Sequence, residues 1–82
     1  MNKTDIFRKL TDIFSKVLEN NSFNLTSETT ADDIDGWDSI THMMIINEIE
    51  EQFKIKFKLI DLMNMDNVGD LIEAIEKEEA NK

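Results

Sequence analysis

The sequence predicts an all-α fold: a small four-helix bundle of three longer helices and one short helix, with a long ordered loop between the first and second helices. Apolar residues recur at steps of three and four along most of the chain, as on the buried faces of amphipathic helices. The 82 residues include only two glycines and no proline, so little interrupts this pattern. We expect one domain over residues 1–82, with an ordered core from about residue 4 to about residue 77.

The first predicted helix runs from Thr4 to Leu18. Its apolar residues share one face because they are three or four positions apart. They are Ile6, Leu10, Ile13, Phe14, Val17 and Leu18. The polar run at residues 20–24 should end this helix, since asparagine and serine side chains compete for backbone hydrogen bonds.

A long connection follows, and its stretch from Glu28 to Asp38 holds five acidic residues and no basic one. Connections of this length between packed elements are uncommon and are usually either functional or disordered. Apolar residues distributed along the connection favour an ordered loop that is attached to the core. The predicted anchors are Leu25, Ala31, Ile34 and Trp37.

The second predicted helix runs from Ser39 to about Gln52, and its apolar residues fall into two sets at 100° per residue. The set predicted to face the core is Met43, Ile46, Ile49 and Phe53. Ile40 and Met44 lie on the opposite side of the helix and are not needed to form the core. They are either scattered surface residues, which are common, or a site for a partner.

The last third of the chain predicts one short and one longer helix. Residues 53–59 alternate apolar and basic side chains, which is typical of a strand, yet no second strand is present to pair with them. Residues 60–63 predict a short helical turn. Asn67 can cap a final helix, and the charged tail from Glu76 should fray. The apolar face of that helix comprises Val68, Leu71, Ile72 and Ile75.

Composition excludes several classes of function. The chain has no cysteine and a single histidine, His42, so we expect neither a disulfide framework nor a metal site. No segment is apolar for long enough to span a membrane, and the N-terminus lacks the features of a signal peptide, which favours a cytoplasmic location without membrane binding. The net charge of -9 argues against nucleic acid and favours basic protein partners. A monomer is expected.

The most informative stretch is Gly36-Trp37-Asp38-Ser39-Ile40, an acidic turn that leads into the second helix. A serine at a helix start usually acts only as a cap. Here Asp32-Asp33-Ile34 precedes the turn and Ile49-Glu50-Glu51-Gln52-Phe53 closes the helix. From about Ile6 to Ile75 the chain resembles the acyl carrier protein family, including peptidyl or aryl carrier domains that occur as free proteins.

The resemblance implies that Ser39 carries 4′-phosphopantetheine as a phosphodiester, with Ile40 in place of the usual leucine. A phosphopantetheinyl transferase would add this arm from coenzyme A with magnesium, and Asp38 would assist the modification. The carrier itself would not be an enzyme. It would hold acyl or aminoacyl groups as thioesters, receive them from a loading ligase and present them to an accepting transferase or synthase.

By the same resemblance, the residues that would bind partner enzymes are Ile40, Thr41, Met44, Asn47 and Glu48. The extended segment after Phe53 would be a connection with Ile55 and Phe57 directed inward and its three lysines in water. Carriers of fatty-acid synthesis usually have acidic residues on the helix after the serine, whereas this chain has Thr41, His42 and Met44 at those positions. A specialised pathway, such as one for a secondary metabolite, a polysaccharide or a modified sugar, is therefore favoured over housekeeping fatty-acid synthesis.

Three other interpretations each fit part of the sequence. Residues 33–36 are similar to part of a calcium loop, but Ala31 and His42 occupy the positions of its first and last ligands. Ser39 and His42 are close enough on a helix to interact, but the sequence offers no oriented base or oxyanion hole for catalysis, and we expect His42 to face solvent. A helical adaptor without a cofactor remains as an alternative, since Ile40 and Met44 alone would suggest one.

Overall fold

The structure, a computed structural model, describes residues 2–19 and 24–81, and the elements in these ranges are helical. Helix α1 spans Lys3–Leu18, α2 Ser39–Phe53, α3 Leu59–Met63 and α4 Val68–Ala80, and a 3-10 turn covers Ala31–Asp33. The predicted fold, with three longer helices and one short helix, is confirmed. Most of the predicted break at residues 20–24 lies outside the described residues. No helix within the described ranges has the length and apolar character needed to span a bilayer.

Helix α1 provides one wall of the core. It begins at a side-chain cap, because the Asn2 side-chain oxygen accepts a hydrogen bond from the Asp5 backbone N–H at 2.9 Å. It ends at Glu19, whose left-handed backbone has a φ of 53° and whose N–H bonds to the Ser15 carbonyl. The predicted apolar face is confirmed, with four residues fully buried against α2 and α4: Ile6, Leu10, Ile13 and Phe14.

The loop after α1 is ordered between residues 24 and 38 and is attached to the core as predicted, with one exception. Ile34 and Trp37 are buried, and Leu25 is partly buried against the core. Ala31 is exposed, so its assignment as an anchor was wrong. The residue opens a 3-10 turn whose three residues face solvent, and the turn is closed by the Asp33 carboxylate, which accepts the Thr30 N–H at 3.0 Å.

Backbone hydrogen bonds join this loop to the start of α4. The Val68 N–H bonds to the Thr29 carbonyl at 2.9 Å, and the Gly69 N–H bonds to the Ser27 carbonyl at 2.8 Å. The two carbonyls satisfy donors that a helix start leaves without an intrahelical acceptor. A Cβ atom at position 69 would lie 2.8 Å from the Ser27 carbonyl oxygen, so only glycine permits this approach.

Helix α2 is rotated relative to the predicted placement. Its buried residues are Ile45, Ile46, Ile49 and Phe53, whereas Met43 is 50% exposed and was wrongly assigned to the core. At 100° per residue, the arc from Ile45 to Ile46 contains Ile49 and Phe53, and Met43 lies about 60° beyond its edge. Ile45 therefore takes the core position that we had given to Met43.

The remaining elements complete the bundle. Ile55 is buried, Phe57 is partly buried, and the three lysines at positions 54, 56 and 58 are exposed, as expected. Helix α4 begins where the Asn67 side chain accepts the Asp70 N–H at 2.8 Å, and it contributes Val68, Leu71, Ile72, Ala74 and Ile75 to the core.

Helix α4 continues to Ala80, beyond the point where we expected the tail to fray. Glutamate, lysine and alanine are good helix formers, and they make up most of the last turns. An ion pair between Lys77 of α4 and Asp61 of α3, with the Nζ and Oδ1 atoms 3.1 Å apart, also ties this part of the helix to its neighbour.

Candidate functional site

A sharp turn presents Ser39 at the first position of α2. Gly36 has a φ of +88°, a conformation that residues with a side chain rarely adopt. Trp37 then enters the core, where its ring meets the Phe14 ring edge-on at a centroid distance of 4.9 Å. Because Trp37 is buried directly after the glycine, the backbone at Ser39 is held in place while its side chain remains exposed.

Asp38, rather than Ser39, caps α2. Its Oδ1 atom accepts the backbone N–H of Ile40 at 2.9 Å and that of Thr41 at 3.0 Å. In return, the Thr41 hydroxyl accepts the Asp38 N–H at 2.8 Å and donates to the Gly36 carbonyl at 2.6 Å. This is a reciprocal capping box, and it accounts for the ordered start of the helix.

The capping box has two chemical consequences. Hydrogen bonding, first of all from the Thr41 backbone N–H, holds the pKa of the Asp38 carboxyl below its usual value, so this group is ionised at neutral pH. Ser39 is relieved of capping, and within the described residues its hydroxyl has no hydrogen-bond partner. The site therefore holds an exposed hydroxyl at a helix N-terminus, next to a carboxylate.

A cavity of about 440 Å³ lies beside Ser39, between the long loop, the start of α2 and the segment before α4. It is lined by Ala31, Asp32, Trp37, Asp38, Ser39, His42, Met65 and Asp66. The sequence analysis did not predict this cavity, because its walls come from three separate segments of the chain.

His42 is half-buried in the wall of this cavity and does not simply face solvent, as we had expected. The Trp37 Nε1–H donates to His42 Nδ1 at 3.1 Å, and the two rings stack at 5.9 Å with an interplanar angle of 29°. Burial lowers the pKa of His42. Within the described residues no hydrogen bond joins His42 to Ser39, so the geometry offers no support for paired nucleophilic catalysis.

The five residues predicted to bind partners differ in their exposure and in the hydrogen bonds that they make within the chain. Ile40 is 74% exposed, Met44 is 48% exposed, and Asn47 is also exposed. The Thr41 hydroxyl is committed to the capping box. Glu48 accepts the Gln52 side-chain amide at 3.1 Å and pairs with Lys16 at 3.2 Å, and these contacts hold the pKa of Glu48 below its usual value.

Helix α3 exposes apolar residues that the sequence analysis did not assign to any surface: Leu59, Ile60 and Met63. The sequence could have indicated this surface, because four of the five residues of the helix are apolar. In the structure only Leu62 of this helix packs against the core. No group of three or more histidine or carboxylate side chains in the described parts of the chain is arranged to hold a metal ion, so the calcium-loop interpretation finds no support there.

Comparisons with known proteins agree with this geometry. The family model described as "Phosphopantetheine attachment site" matches residues 8–75. The chain is 35% identical to an acyl carrier protein of Streptococcus pyogenes serotype M1 over 72 residues, which is 88% of this chain and 93% of the relative. It is 31% identical to an acyl carrier protein of Thermotoga maritima over 75 residues, 92% of this chain and 93% of the relative.

Among solved structures, the chain is similar to the solution NMR structure of a holo acyl carrier protein from Geobacter metallireducens. The TM-score is 0.85 and the sequence identity is 45%, with 92% of this chain and 86% of that chain covered. The likeness thus extends over the whole bundle rather than the serine turn alone.

Proposed function

This chain belongs to the acyl carrier protein family, whose members are non-catalytic carriers, and we propose that Ser39 is the residue to which its covalent 4′-phosphopantetheine arm is attached. The observation that carries this proposal is the free, exposed hydroxyl of Ser39 at the start of α2, beside an open cavity. The terminal thiol of the arm supplies the chemistry, since it holds acyl groups as thioesters. The residues of the chain attach, orient and present that arm.

The residues around Ser39 fit an arm that begins with a phosphate. The N-terminal end of α2 carries the positive end of the helix dipole, which favours a negative group there. Asp38 is unfavourable for a second negative charge, but it caps α2 and so has a structural role whether or not Ser39 is modified. Both backbone N–H groups that it caps bond to Oδ1, which leaves Oδ2 without a partner among the described residues. We assign Oδ2 to the transferase and its magnesium ion while Ser39 is being modified.

Members of this family interact with a phosphopantetheinyl transferase and with biosynthetic enzymes. For this chain we assign the docking surface to the exposed face of α2, with Ile40 and Met44 as its apolar contacts and Asn47 beside them. Glu48 and Thr41 lie next to these residues, although both are already bound within the chain. The net charge of -9 suits partners with basic surfaces. A loading ligase and an accepting transferase or synthase would use this face in turn, and we place the carrier in the cytoplasm as a monomer.

Met44→Ala tests the docking surface. The side chain is 48% exposed, so its truncation should change the free energy of unfolding by no more than about 0.5 kcal/mol. If Met44 contacts the partner enzymes, kcat/KM for loading or transfer should fall about fivefold or more. Glu73→Ala, an exposed change on α4, is the control and should leave kcat/KM unchanged. Normal turnover by folded Met44→Ala would rule out this surface.

We further propose a specialised biosynthetic pathway rather than housekeeping fatty-acid synthesis. The helix after Ser39 carries neutral or apolar residues at its first exposed positions, and Glu48, further along, is neutralised in part by Lys16. Recognition would then depend less on long-range charge and more on apolar contact. Housekeeping fatty-acid synthesis is the second candidate.

Intact mass spectrometry of the protein purified from its own host tests both the carrier role and the pathway. We expect the mass of the chain plus one arm plus a cargo, and hydroxylamine should release that cargo because a thioester holds it. A cargo outside the saturated fatty-acyl series would support a specialised pathway. A ladder of fatty-acyl groups would instead assign the protein to fatty-acid synthesis, and the absence of an arm would contradict the carrier role.

A further inference from the structure

Trp37 and His42 form a fixed pair next to the attachment residue. Trp37 is almost fully buried and packs against Phe14, so its indole N–H has a defined direction. That N–H is 3.1 Å from His42 Nδ1. An acceptor nitrogen must be unprotonated, so the neutral ring of His42 carries its proton on Nε2. Trp37 thereby fixes both the orientation and the tautomer of His42.

The ring of His42 lines the same cavity as Ser39, the residue to which the arm would be attached. Residues three apart on a helix are neighbours on its surface, and His42 and Ser39 both line the cavity beside α2. The charged residues that line the cavity together with His42 are all acidic: Asp32 of the 3-10 turn, Asp38 of the serine turn and Asp66 of the segment before α4. An ionised carboxylate accepts hydrogen bonds and cannot donate one.

Side-chain donors in the cavity are therefore few. Among the residues that line it, Trp37 has given its N–H to His42, and the Ser39 hydroxyl is lost once it is esterified. The Nε2–H of His42 is the remaining side-chain donor within the described lining. A phosphate on Ser39 adds one more negative charge to this acidic surround, so a donor at this position offsets an otherwise unfavourable interaction.

We propose that His42, held by Trp37, donates its Nε2–H to the phosphodiester of the arm on Ser39 and so positions the arm along the cavity. The inference rests on the proposed attachment at Ser39. His42 is a positioning residue in this scheme and takes no part in group transfer. The same contact couples the arm to the ring's ionisation, because the negative phosphodiester stabilises the protonated imidazole.

The chain is suited to a direct test because it contains one histidine and one tryptophan, so each gives a single set of ring signals in proton NMR. Apo and holo protein, distinguished by mass, are titrated between about pH 5 and pH 8. The midpoint of the His42 signals should be higher in the holo protein by a few tenths of a pH unit. A phosphodiester does not ionise in this range, so an inflection of its phosphorus-31 signal at the same midpoint would report the contact.

Variants separate positioning from a structural role. His42→Ala should abolish the phosphorus-31 inflection and increase the mobility of the arm. His42→Gln should also abolish the inflection, but its amide N–H should restore part of the restricted motion. Trp37→Phe keeps an aromatic ring and removes the indole donor, so the histidine midpoint should rise already in the apo protein.

The outcomes distinguish this inference from the proposed function. If the arm is added to Ser39 but His42 titrates identically in apo and holo protein and the phosphorus-31 signal stays flat, the positioning role is wrong and the carrier role stands. If no arm can be added to Ser39, the proposed attachment fails, and the role of His42 fails with it.

Discussion

Ser39→Ala is expected to abolish addition of the arm while leaving the fold intact. The hydroxyl is the atom that would form the phosphodiester bond, so its removal leaves the transferase without an acceptor. Stability should change by about 0.5 kcal/mol or less, because Asp38 caps α2 and alanine is favourable in a helix. Incubation with coenzyme A, magnesium and a broad-specificity phosphopantetheinyl transferase, followed by intact mass spectrometry, measures the effect.

Ser27→Ala is the matched control for this experiment. Ser27 is also exposed, and its contact with α4 is made by its backbone carbonyl, which the substitution retains. This variant should gain one arm, as the wild type does. Addition of an arm to Ser39→Ala would show that another hydroxyl is used. A cofactor-free adaptor would behave differently again, since it would bind its partners equally well with and without the Ser39 hydroxyl.

Ile49→Ala is expected to have the largest effect on stability. Ile49 is fully buried in a core that joins α1, α2 and α4, and truncation of such a residue leaves a cavity as well as losing apolar contacts. The expected loss is about 2–5 kcal/mol in the free energy of unfolding. The whole free energy of unfolding of a small domain is about 5–15 kcal/mol, so the variant would be only marginally folded. Urea titration followed by circular dichroism measures the loss.

Met43→Ala is the control on the same helix. Met43 is half-exposed, so its truncation should cost far less than that of Ile49, within about 0.5–1 kcal/mol. The pair also tests the rotation of α2. Equal losses for the two variants would mean that Met43 is buried, as the periodicity alone had suggested, and that the orientation of the helix described above is incorrect.

The reason for that mistaken assignment lies in the composition of α2. In α1 and α4 the apolar residues occupy one face, and the sequence alone identifies the core. In α2 they lie over most of the circumference of the helix, from Ile45 through Ile46 and Met43 to Met44. The helical period cannot then decide between Met43 and Ile45, and it is the packing of the whole bundle that buries Ile45 and leaves Met43 half-exposed.

The candidate site likewise combines local features that the sequence predicts with contacts that depend on the folded arrangement. The order of residues in the serine turn, together with the resemblance, predicts Ser39 and Asp38 as site residues, because a helix start is a local feature. The contact between Trp37 and His42 was not predictable in this way. It crosses from the loop to α2 and exists because Trp37 is anchored on Phe14 of α1. The exposure of Ala31 likewise depends on where the whole loop is placed relative to the core.

The hydrogen bonds between the long loop and α4 join two distant parts of the chain. The first amides of α4 have their acceptors in the carbonyls of Ser27 and Thr29, some forty residues earlier. Detachment of the loop would leave those amides open to solvent and would loosen the first turn of α4. Amide hydrogen exchange at Val68 and Gly69 should therefore report how often the loop that leads to Ser39 detaches from α4.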